Sequence, residues 1–333
     1  MNVLAVIAAL ALAVPTTVAA APSGPGDAPP GCGDTVTGSV TLTRDLHCPA
    51  GSGLYLADGA SLDLGGHTLS GARVSTWDAA VEPQGSASVR NGRLTGWSIG
   101  VGLPPFGTDA ALRIEDLQID RVRTGIGSHG FSHPADGSLT VDRVTVTDAE
   151  RAVWSAWVSA RVTDLTTRRV DEGVLCAYGA CTVERSTFAD GERAVAATWA
   201  RVLVQDVRVT GHDRALFLAS TQPGSVVQRS TLTDNREGVY AAGELTVRHN
   251  VLTRNTTGIV ATDLFGRGRQ QLVEGNVLRH NVDAIRAGAS ATVRGNLAVQ
   301  NTGWGIYAPE ATIGRGNVAL GNGTKPQCLC GVR

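Results

Sequence analysis

Leu245-Thr246-Val247-Arg248-His249-Asn250-Val251-Leu252-Thr253-Arg254-Asn255-Thr256-Thr257-Gly258-Ile259-Val260-Ala261 is the stretch that decides the fold. Leu245, Val247, Leu252, Ile259 and Ala261 alternate with polar neighbours in short runs, which is the two-residue period of strands with one buried face. Asn250 and Asn255 stand where the runs change direction. A unit this small hides its apolar side only by stacking on copies of itself.

The copies are present. Anchored at the bend, the repeat runs Leu117, Val144, Leu165, Ser186, Val207, Ser230, Asn250, Asn276, Asn296, Asn317, and the equal steps from Val144 through Leu165 and Ser186 to Val207 set its dominant interval. Further along the chain from each bend comes a small residue followed by Val, Ile or Leu, as in Gly125-Ile126, Ala152-Val153, Gly173-Val174 and Ala284-Ile285. Gly305-Ile306 comes slightly late, and Gly92 with Gly100-Val101 marks an earlier turn. The pattern predicts an all-β parallel solenoid, three short strands per turn and about ten to eleven turns. Asn250, Asn276, Asn296 and Asn317 fall in one column, and Asn235, Asn255, Asn281, Asn301 and Asn322 in the next, so that stacked amides can satisfy one another. Leucine-rich repeats share the repeat length, but their Leu-x-x-Leu-x-Leu frame is not kept here.

Residues 1–20 carry an apolar stretch from Val3 to Val14 and small residues at Val18-Ala19-Ala20. They are expected to be a signal peptide, although no Lys or Arg precedes the stretch. Pro22, Pro25, Pro29 and Pro30 with Gly24 and Gly26 make 21–31 a linker. Residues 32–60 are expected to form an N-terminal cap, 61–323 the coil, and 324–333 a tail holding Cys328 and Cys330. Six cysteines in an exported chain favour disulfides. Local pairing of Cys32 with Cys48, Cys176 with Cys181 and Cys328 with Cys330 is the simplest scheme, but spacing leaves connectivity open. A net charge of −1 gives no basic footprint for nucleic acid. No apolar run of spanning length follows the leader, so the expected product is a secreted monomer with no membrane segment in the mature chain.

The Asn bends, the Gly-Ile pairs and the entry Leu62-Asp63-Leu64-Gly65-Gly66-His67-Thr68-Leu69 together resemble the right-handed parallel β-helix repeat proteins of the pectate-lyase-like superfamily, over residues 33–323. The resemblance implies the fold and its handedness. It also implies a carbohydrate-directed protein, a polysaccharide lyase or glycoside hydrolase acting on an acidic polysaccharide. Fold alone does not fix activity, and the catalytic motifs are not recognisable. Lys325, in the tail, is the single lysine, and Gly127-Ser128-His129-Gly130 lacks the Asp-Asp partner of the pectin hydrolases. A copper-delivery β-helix is a further relative, but no Met follows Met1 and the seven His share no evident column.

Periodicity converts spacing into lateral neighbours. One step before the bend, Asp116, Arg143, Asp164, Arg185, Asp206 and Arg229 alternate in sign, which is expected to neutralise the column. Past the bend stand Glu150, Asp171, Glu192 and Asp213, followed by Arg151, Glu172, Arg193 and Arg214. They make either a self-neutralised corner or a calcium site of adjacent carboxylates. Trp154, Phe217 and Tyr240 share an outward position with Leu175 and Ala196, and Trp157, Tyr178 and Trp199 recur at the dominant interval. An exposed ring row suits a glycan, whereas Trp157, Tyr178 and Trp199 could equally be buried. An insertion from Gly127 to Ser138 brings His129, His133 and Asp136, and another from Thr262 to Gln271 brings Asp263 and Arg267. Loops beside a rigid sheet often bear function, which makes the two histidines and Asp136 secondary catalytic candidates. Two expectations follow: an enzyme acting on polysaccharide, or a non-catalytic β-helix that binds a polysaccharide or cell-surface glycan.

Overall fold

The computed structural model describes residues 29–73, 78–103, 109–127, 137–263, 270–325 and 327–330. Among them there is no α-helix, and the strands stack into a β-solenoid of about 13 turns. The count exceeds the expected ten to eleven. The coil already runs through Thr35–Val36, Ser39–Thr41 and Leu46–Cys48. There Thr35 pairs with Tyr55, Ser39 with Ser61 and Leu46 with Leu69, without the regular markers of later turns.

Three parallel ladders run the length of the rod. The first extends from Ser39–Thr41 through Leu245–Arg248 to Thr312–Ile313. The second extends from Leu46–Cys48 through Val251–Thr253 to Val318–Leu320. The third extends from Thr35–Val36 through Thr257–Ala261 to Cys328–Cys330. At ~4.8 Å per turn the rod is roughly 60 Å long.

Alternation places the core as the sequence predicts. Leu245, Val247, Leu252, Ile259 and Ala261 are all buried, and they join one continuous column of apolar side chains. In the third ladder that column keeps register through Val153, Val174, Val195, Leu216, Val239, Ile259 and Ile285. Where the residue preceding these is glycine, at Gly173, Gly238 and Gly258, the absence of a side chain is a packing requirement. A Cβ on Gly238 would lie 2.5 Å from the Gly258 carbonyl oxygen and 2.7 Å from Leu252 Cδ2.

Bends are made by residues with left-handed backbone. Asp116, Arg143, Asp164, Arg185, Asp206, Arg229 and His249 have φ between 47° and 56°, a conformation costly for residues with a Cβ. Burial of the next side chain and bonding along the column offset that cost. Arg143 binds both oxygens of Asp116, at 2.7 and 2.9 Å, and Arg229 those of Asp206, at 3.0 and 2.9 Å. The alternating charges neutralise one another pair by pair, the Asp always one turn ahead of its Arg.

The asparagines complete the bends from inside. Asn250 donates its backbone N–H and Nδ2 to Asn276 Oδ1, both at 3.0 Å, and Nδ2 also reaches the Val227 carbonyl at 3.1 Å. Asn255 repeats the pattern on Asn281 and Leu232. Disulfides join Cys32 to Cys48, Cys176 to Cys181 and Cys328 to Cys330, the local pairing.

Candidate functional site: the outer face of the third ladder

Strand register assembles four rows on this face. The central row runs Trp154, Leu175, Ala196, Phe217, Tyr240, one residue per turn, and continues through Val260 and Arg286 to Tyr307. On one side lies the charged row Arg151, Glu172, Arg193, Arg214, Glu237. On the other lie small residues, Ala156, Ala177, Thr198 and Ala219. Beyond these, at the third bend, stand Trp157, Tyr178 and Trp199, with φ of 69°, 61° and 58°.

The small row therefore floors a trough parallel to the rod axis. Trp154, Phe217 and Tyr240 stand on one side and the bend aromatics on the other. Rings occupy both sides at the turn of Trp154 and Trp157, while Tyr178 and Trp199 stand opposite Leu175 and Ala196, and Phe217 and Tyr240 opposite Ser220 and Gly243. Ala156 and Ala219 are buried at 3% and 6% exposure, whereas Tyr178 on the rim is 42% exposed. The Cys176–Cys181 disulfide ties the bend that carries Tyr178.

Ring geometry departs from an open stacking platform. Trp157 and Tyr178 are parallel, with centroids 4.0 Å apart and planes within 6°. Phe217 and Tyr240 are 5.3 Å apart at 19°. Rings this close and parallel cover one face of each partner, which leaves the edges and outer faces to a ligand. Arg214 lies over Phe217 and Tyr240 at 5.3 and 5.5 Å, and Arg151 lies over Trp154 at 5.3 Å.

The acidic column is present but does not converge. Glu150 pairs with Arg123 at 3.0 Å and Glu192 with Arg193 at 2.6 Å. Asp213 is gripped by Arg236, whose hydrogen-bonded guanidinium holds the carboxyl below its ordinary range. Asp171 is exposed in the same column. Among the described residues no group of three or more His, Cys, Asp and Glu could hold a metal ion, and these carboxylates form no common oxygen cage for calcium. His129, His133 and Asp136 lie outside the described residues. The insertion that bears them departs after Gly127, level with Trp154, at the trough.

One unusual side chain escapes the sequence reading. His212 takes the place of an asparagine at the second bend, and its backbone N–H donates to Asn235 Oδ1 at 3.0 Å. The residue is 3% exposed. Nδ1 lies 2.9 Å from the Thr210 carbonyl oxygen, and Nε2 has no partner. Burial pushes the imidazole pKa down from 6.5 and keeps the ring neutral. Its place in the column Gly191, His212, Asn235 is the available signal.

Fold and ladders define a right-handed parallel β-helix repeat protein. A family model described as periplasmic copper-binding protein (NosD) matches residues 207–324. No curated protein matches the chain. The disulfides and this similarity are consistent with an extracytoplasmic location. No helix among the described residues is long and apolar enough to cross a membrane.

Proposed function

We propose that this protein is an extracytoplasmic β-helix that binds a glycan chain along the outer face of its third ladder. The trough is the observation that carries the reading. It has a small-residue floor and aromatic walls, it runs along the axis, and strands on successive turns hold it rigid. A rigid, preformed groove lowers the ordering cost of binding, and amphipathic rings beside polar side chains suit a ligand with both C–H and O–H surfaces. Apart from exposed Asp171, the described carboxylates beside the trough are engaged by arginines, and this supports binding without turnover as the form of a carbohydrate-directed role.

The matched family's name speaks of copper. In the matched segment the histidines are His212, His249 and His280. His212 is buried, and the other two occupy left-handed positions at different bends. They share no site, and the trough remains the stronger basis.

Ala177→Trp tests the proposal, because it fills the floor at an outward, half-buried position. The variant should melt with the wild type by circular dichroism yet lose retention in glycan-containing gels. Unchanged retention would exclude the trough.

A further inference from the structure

We infer that the chain taken by the trough is an extended, uncharged polysaccharide; this rests on the glycan reading above and narrows it. Every guanidinium described on this face between Arg123 and Arg286 already holds a carboxylate. Arg123 holds Glu150 at 3.0 Å and Arg151 holds Glu172 at 2.8 Å. Arg193 bridges Glu172 at 3.2 Å and Glu192 at 2.6 Å, and Arg214 holds Glu237 at 2.9 Å. Arg236 holds Asp213, and Arg286 holds Asp283 at 3.1 Å. Asp171, exposed in the same column, tips the balance to the acidic side.

A uronate or sulfate polymer would find no uncommitted cation among these. It would have to displace carboxylates already fixed in place, then lie beside them, where like charges repel. An uncharged chain meets no such conflict. Its hydroxyl groups can accept from the outward N–H groups of the paired arginines and donate to carboxylate oxygens, leaving both partners charged and neutralised. The ring edges carry the positive side of the aromatic quadrupole and suit hydroxyl oxygens. Turns spaced ~4.8 Å apart are close to the length of a single pyranose in an extended chain, so a chain lying along the axis advances about one sugar per turn past a wall that changes from Trp154 through Leu175 and Ala196 to Phe217 and Tyr240.

The test is affinity electrophoresis of the full chain in gels containing glucomannan or mixed-linkage β-glucan, and separately polygalacturonate or alginate, at low and high salt. Retardation by the neutral polymers that salt does not change is expected. The double variant Glu172→Gln/Glu237→Gln frees Arg151 and Arg214 and leaves Arg193 held by Glu192 alone. It should keep the neutral retardation and gain a polygalacturonate shift that salt abolishes. Wild-type protein retarded more by polygalacturonate than by glucomannan, with the difference lost in salt, would overturn the uncharged class while leaving the trough standing. Retardation by none of the polymers would remove the glycan reading and this inference together.

Discussion

At the scale of residues, the asparagine columns concentrate most of the polar stabilisation inside the coil. Asn255 accepts from Asn235 through both backbone N–H and Nδ2, each at 3.0 Å, and donates to Leu232 and Asn281. Asn255→Ala strands buried donors and acceptors on both neighbouring turns, which should cost about 2–4 kcal/mol, measured by denaturant unfolding. His212 sets the acid response of the same column. Its folded pKa lies below 6.5, so the unfolded chain binds the proton more readily. Its contribution to stability is therefore whole above 6.5 and is lost as pH falls through the folded value. His212→Asn extends the asparagine column and should flatten the melting temperature against pH below 6.5; an unchanged pH profile would assign the acid response to other groups. The repeat interval already placed Trp157, Tyr178 and Trp199 on one edge. Spacing carries no information on ring planes, so the face-to-face packing of Trp157 on Tyr178 was not legible.

At the scale of elements, a strand of this protein means little without the bend that ends it. Alternation in Leu245, Val247 and Leu252 made the strands legible, and local spacing favoured the three disulfides. The left-handed bends were half hidden: Asp and His are enriched at positive φ, but Arg and Trp are not, and at those residues the column imposes it. Cys176–Cys181 closes the third bend over a sequence separation of 5, where loop-closure entropy alone contributes about 2 kcal/mol. Cys176→Ser/Cys181→Ser should lower stability by about that amount and loosen Tyr178 from Trp157. Near-ultraviolet circular dichroism reports the ring pair. A preserved ring signal would show that the strands alone hold the bend.

At the scale of the whole molecule, sideways contact between turns replaces a globular core. The early turns were under-counted because their steps, as from Leu62 to Val89 and from Leu94 to Ile119, are longer than the later period. Protection against hydrogen exchange should peak in the turns between Thr145 and Ala219, flanked on both sides, and fall toward Thr35 and toward Leu320. Uniform protection would imply a single cooperative unit instead of a chain of coupled ones.

Those middle turns share one length, with Thr145 level with Thr166 and Thr166 level with Thr187. Because each presents the same surfaces above and below, length here is quantised. A gene could gain or lose one such segment and still encode a seamless product, whereas an indel of half a segment would throw every downstream side chain onto the wrong side. Unequal recombination would thus act on this scaffold as a ruler, adjusting how far the rod extends without redesigning a single contact.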